Sequence, residues 1–112
     1  TAGNLIFAEL QRATARFAGM LSRCGVGTGD RVIINASCGH GPNRIVEYNP
    51  LLDEAITLAR HKPGTCVIHQ RKAVNATLLD GRDVEWYEAH DGAEELAPVS
   101  VKATDPLYIL YT

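Results

Sequence analysis

Between Phe7 and Cys24 apolar residues recur at Leu10, Ala13, Phe17, Met20, Leu21 and Cys24, a three-or-four spacing that gathers them on one face of a helix. Arg12, Arg16 and Arg23 fall largely on the other side. Gly25 stands where a helix C-cap needs a residue tolerant of positive φ, and Gly29-Asp30 turns the chain into the β-branched run Arg31-Val32-Ile33-Ile34. The pattern predicts a helix, a tight turn and a buried strand.

Ala36 to Asn43 is dense in Gly, Ser, Asn and Pro and reads as a loop, followed by a short extended piece from Arg44 to Tyr48. Asn49-Pro50 reads as the N-cap and first residue of a helix to about Arg60, with Leu51, Leu52, Ala55, Ile56 and Ala59 as its apolar face. Lys62-Pro63-Gly64 ends it. Cys66-Val67-Ile68 begins a second strand that ends near Arg71. Lys72 to Arg82 has no clear period, whereas Asp83 to His90 fits a short amphipathic helix around Trp86. Beyond a polar linker containing Pro98, the run Leu107-Tyr108-Ile109-Leu110-Tyr111 is apolar at every position, as in a central strand covered on both faces. Helices alternating with strands predict an α/β fold, a partial three-layer domain with a mostly parallel sheet flanked by helices.

Composition adjusts this picture only slightly. With 112 residues, 46% hydrophobic and 21% charged, the chain has room for one globular domain. A net charge of -2 supplies no broad positive field for a nucleic-acid backbone, which argues against that partner. No apolar run approaches the roughly 20 residues of a membrane span. The first residues lack the basic flank and apolar stretch of a signal peptide, although an opening Thr1 is compatible with a trimmed leader. Three widely spaced cysteines are too few for a disulfide scaffold and suit a reducing compartment, the cytoplasm or the mitochondrial matrix.

Candidate chemistry is thin. Gly25, Gly27 and Gly29 follow a helix and precede a strand, the reverse of a phosphate-binding loop, and are read as turn residues. Cys38-x-His40 and Cys66-x-x-His69 supply four potential zinc ligands, but side chains three apart on a strand point to opposite faces. Cys38 with His40 as base lacks an orienting third group. Asp53-Glu54 and Glu94-Glu95 are adjacent residues that diverge on a helix, hence solvated charges rather than an acid–base couple. Asn75-Ala76-Thr77 fits the glycosylation pattern, which only a secreted protein would use, and His61 marks a helix end rather than a base.

Several blocks carry a resemblance. Asp105-Pro106-Leu107-Tyr108-Ile109-Leu110-Tyr111-Thr112 resembles the strand leading into the Ser/Thr/Gly-rich phosphate loop of AMP-forming acyl-CoA synthetases, the adenylate-forming superfamily. Phe7-Ala8-Glu9-Leu10 through Gly25-Val26, then Gly29-Asp30-Arg31-Val32-Ile33-Ile34, is similar to the first helix and strand of that family. Ala36-Ser37-Cys38-Gly39, Val46-Glu47-Tyr48, Pro50 to Ile56, His61-Lys62-Pro63 and Gly81 to Trp86 resemble its short-chain branch, which favours propionate over acetate.

The resemblance implies a parent enzyme that joins propionate to CoA, using ATP and Mg²⁺, through an acyl adenylate. It also implies an incomplete N-terminal domain over residues 1–112. Ile34-Asn35 meets Ala36 where the family has a Met/Pro-rich turn and a further strand–helix unit, which implies an internal deletion near 34–36. The phosphate loop, the adenine and ribose contacts and the catalytic Lys would lie beyond Thr112. No catalytic residue, metal ligand or bound cofactor is therefore expected in this chain alone. The one transferable contact is the loop Gly41-Pro42-Asn43-Arg44, where Arg44 matches a basic position that holds the CoA nucleotide and Gly41 replaces the other. The alternative expectation is a non-catalytic α/β binding or assembly module, self-associating through an uncovered strand.

Overall fold

The computed structural model describes residues 6–108 and residue 110. Its elements are α1 (Phe7–Arg23), β1 (Val32–Ala36), β2 (Cys38–Gly41), β3 (Arg44–Glu47), α2 (Asn49–Leu58), β4 (Thr65–His69), β5 (Asp83–Glu85) and α3 (Trp86–His90). The α/β prediction holds: β1, β4 and β5 form a parallel sheet in the order β1-β4-β5, with helices against it. Ile34 faces Val67 and Cys66 faces Asp83 in register. β1 runs unbroken through Ile34, Asn35 and Ala36, each paired to β4.

The start of α1 is set by Glu9, which accepts from the Ile6 N–H at 3.0 Å. Its end is a Schellman closure, with Gly25 at φ +83°, the Val26 N–H on the Leu21 carbonyl and the Gly25 N–H on the Ser22 carbonyl. Only the second half of its predicted apolar face is covered. Met20 is fully buried with Val67, Ala89 and Ala93, and Phe17, Leu21, Cys24, Val32, Val84 and Trp86 pack around them. Leu10 and Phe7 stay exposed. Arg23, expected on the solvent side, instead donates to the Ala89 and Asp91 carbonyls, both at 2.6 Å, and so caps the end of α3.

Four expectations are corrected. The Gly-rich stretch from Ala36 is not a plain loop, because Cys38–Gly41 pairs antiparallel with Arg44–Glu47 as a hairpin. Gly39 makes this possible: the hydroxyl end of Tyr48 occupies the space a Cβ would fill. The helix predicted from Asp83 to His90 gives its first three residues to β5, where the strand Cys66–Ile68 offers an edge to pair with. α2 stops at Leu58, and Lys62 rather than His61 closes it, donating to the Thr57 and Ala59 carbonyls at 2.8 and 2.6 Å. The terminal run is not a covered strand among the described residues: Leu107, Tyr108 and Leu110 are unpaired and exposed, and Ile109, Tyr111 and Thr112 lie outside them.

Candidate functional site

At the carboxyl ends of β1 and β4 the chain leaves the sheet through a single buried residue, Ser37. All three of its polar groups are used. Its N–H donates to the His69 carbonyl (2.9 Å), its carbonyl accepts from Tyr48 N–H (3.1 Å), and its hydroxyl oxygen accepts from Arg71 N–H (2.8 Å). Ser37 thereby fixes the hairpin against the segment that follows β4. Between them lies an open cleft of about 650 Å³ lined by His40, His69, Gln70, Arg71, Lys72, Ala73 and Tyr87. His69 Nε2 and the Tyr87 hydroxyl share a hydrogen bond of 3.2 Å, and Arg71 Nη1 donates to the Cys38 carbonyl at 3.5 Å. Among the described residues no carboxylate lines this cleft.

The hairpin tip places Arg44 opposite Gly41, across Pro42 and Asn43. Arg44 is exposed and makes no ion pair among the described residues. Geometrically it is a guanidinium at the tip of the two-stranded hairpin.

A second constellation is internal. Arg82 Nε and Nη2 donate to Asp83 Oδ1 and Oδ2 at 2.6 and 2.8 Å, and Nη2 also reaches Asp53 Oδ1 at 2.6 Å. Leu79 N–H adds a 2.9 Å bond to Asp83, whose side chain is wholly buried. Burial alone would raise the Asp83 carboxyl, but the Arg82 and Leu79 hydrogen bonds outweigh it and hold the group below the ordinary carboxylate range. The same pairing pushes Arg82 further above its usual value. Burial pushes the neighbouring Cys66 thiol up, which removes it as a nucleophile. These groups bind β5 to α2 and to the irregular segment; of them only the Asp53 carboxylate, already paired with Arg82, reaches solvent substantially.

The other sequence candidates scatter. Cys38 and Cys66 are buried in separate sheets, while His40 and His69 face the cleft. Among the described residues no group of three His, Cys, Asp or Glu side chains is placed to hold a metal ion. Asp53 pairs with Arg82, whereas Glu54, Glu94 and Glu95 are exposed. Asn75 is exposed, and its neighbour Ala76 exchanges two 2.8 Å hydrogen bonds with Gln70. Gly25 and Gly29 adopt positive φ in turns, as predicted. Sequence reading missed the Arg71-Lys72 pair; its signal is two cations immediately after a buried strand, at the sheet end where ligands of open α/β folds collect.

No family model matches the chain. It is 42% identical over 83 residues to rat acyl-CoA synthetase short-chain family member 3, mitochondrial, covering 73% of this chain and 12% of that protein. It is 30% identical over 86 residues to the 3-hydroxypropionyl-coenzyme A synthetase of Sulfurisphaera tokodaii (75% of this chain, 13% of that protein). It is also 30% identical over 88 residues to the acetyl-coenzyme A synthetase of Aeromonas salmonicida (78% and 14%). The chain thus spans only a small part of the length of the curated relatives it matches.

Proposed function

We propose, from the premise that this chain belongs with the short-chain acyl-CoA synthetases, that it is a piece of an AMP-forming ligase of propionate and CoA. The observation that carries this reading is the 42% identity over 83 residues to a short-chain family member. In the whole enzyme a carboxylate oxygen attacks the α-phosphate of ATP and releases pyrophosphate. The CoA thiol then attacks the acyl carbonyl of the adenylate and releases AMP. Such chemistry needs donors and Mg²⁺ aimed at the phosphates. The described residues offer no acidic cluster for that ion, so no chemical step is assigned to this chain.

Its own contribution is binding. Arg44, presented by the hairpin tip of Gly41, Pro42 and Asn43, is the proposed contact to the CoA nucleotide, where a planar guanidinium suits phosphate. A deletion near 34–36 fits the surfaces left bare. β1 has no partner on its outer edge among the described residues, and Ile34, Leu51 and Leu58 are 49%, 57% and 80% exposed. The proposed compartment is the cytoplasm or the mitochondrial matrix; no described helix is long and apolar enough to cross a membrane. ATP–pyrophosphate exchange with propionate tests the inactive-piece reading: the 112 residues alone are expected to give no exchange, and measurable turnover would overturn it.

The same bare surfaces favour one second reading, a non-catalytic module that associates through them. Sedimentation of the purified chain decides it. A concentration-dependent dimer supports association, whereas a monomer throughout rejects it.

A further inference from the structure

We infer that the cleft between the β2–β3 hairpin and the end of β4 is a binding site for a diphosphate group, distinct from the Arg44 contact. Four features point there. Arg71 and Lys72 bring two positive charges, His40 adds a ring nitrogen, and the hydrogen-bonded His69–Tyr87 pair adds a hydroxyl, from two separate strands, a turn and a helix. Among the described residues no carboxylate lines the cleft, although acidic residues outnumber basic ones in the chain by thirteen to eleven. Neither Arg71 nor Lys72 makes a salt bridge among the described residues. The backbone beneath them is already rigid, because Arg71 N–H is bonded to the buried Ser37 hydroxyl and Gln70 is bonded twice to Ala76.

Each feature has a role in holding a compact, multiply charged anion. The Arg71 guanidinium spends one N–H on the Cys38 carbonyl, which orients the plane and leaves its other donors free. Lys72 adds a mobile point charge. When His69 Nε2–H donates to the Tyr87 oxygen, the Tyr87 O–H is released to donate into the cleft. The site lies outside the carboxyl ends of parallel strands, where open α/β sheets hold phosphates. A single carboxylate would use only part of this donor set, whereas a diphosphate presents enough oxygens to meet Arg71, Lys72 and Tyr87 together.

Amide and side-chain NMR of the full 112-residue chain, titrated with inorganic pyrophosphate and separately with ADP, tests the site. Saturable shifts confined to His40, Tyr87 and residues 69–73 are expected with both. Equal affinity assigns the anion alone, and tighter ADP assigns a nucleotide, with the 64% exposed Tyr87 ring as the base contact. Lys72→Gln is expected to weaken pyrophosphate about fivefold and Arg71→Ala about tenfold or more, from loss of a charge-assisted hydrogen bond. Arg44→Ala is expected to leave pyrophosphate affinity within about twofold, since Arg44 does not line the cleft. Lys72→Gln removes a solvent-exposed side chain that makes no salt bridge among the described residues, so it keeps the test valid if Arg71→Ala fails to fold. Absence of shifts in the cleft, or equal weakening by Arg44→Ala and Lys72→Gln, would overturn the inference. Because pyrophosphate has no CoA portion, failure here leaves the proposed Arg44 contact standing.

Discussion

Gly19→Ala is expected to destabilise the chain by about 3 kcal/mol or more, although alanine is the better helix former by about 1 kcal/mol. Gly19 lies in α1 and is buried. A Cβ built on it would run into the backbone carbonyl of Glu94, far inside contact distance. That carbonyl has little freedom to retreat, because two residues later Leu96 N–H donates to the Ala15 carbonyl of α1 at 3.0 Å. The segment after α3 is thus strapped to the helix along Ala15, Ala18 and Gly19, where small side chains let backbone meet backbone. Backbone cannot rotate aside as a flexible side chain can, so the added methyl must displace either the strap or the helix. Urea unfolding measures the effect as a lower midpoint at unchanged slope. A rise in midpoint, the sign that helix propensity alone gives, would show that the strap does not rest on α1.

Gly19 also shows what was legible in the sequence and what was not. The spacing of Phe17, Met20, Leu21 and Cys24 located the buried face of α1, since a 3.6-residue period is a local property. The cap at Gly25 and the β-branched core strands were legible for the same reason. The close approach at Gly19 was not, because its cause lies 75 positions away at Glu94. Strand β2 was hidden likewise. Its residues Cys38-Gly39-His40-Gly41 have a loop composition, and only the partner Arg44–Glu47 and the hydroxyl end of Tyr48 packed against Gly39 make them a strand. β5 was read as helix because Asp83-Val84-Glu85 is too short to show a period, and pairing with Cys66–Ile68 decided its state. The terminal apolar run misled in the opposite sense: an unbroken apolar pattern signals a need for cover, and Leu107, Tyr108 and Leu110 have none. The same logic separates the two halves of the site. Arg44 was reachable through resemblance, while the Arg71 cleft required the fold to bring His40, His69 and Tyr87 together.

The second large effect is expected at Asp83, where sequence showed only a charge beside another charge. Asp83→Asn keeps the shape of the side chain but leaves Arg82, 13% exposed, without its bidentate partner. Removing one member of a buried pair costs roughly 3–5 kcal/mol, and the retained Asp53 contact places this change at the lower end, about 3 kcal/mol. Asp53→Asn removes a carboxylate that is 51% exposed and is expected to cost less than about 1 kcal/mol. Acid provides an independent check. The Asp83 carboxyl is depressed in the folded chain, so its contribution is fully present above the unfolded carboxylate pKa of about 4 and is lost as pH falls through the lower folded value. The stability gap between the parent chain and Asp83→Asn should therefore be constant near neutrality and close progressively below about pH 4. Urea midpoints of the two proteins over that range measure the gap. A gap that stays constant in acid would mean that Asp83 titrates as in the unfolded chain, and the Arg82 and Leu79 hydrogen bonds to its carboxylate would then not be what stabilises the start of β5.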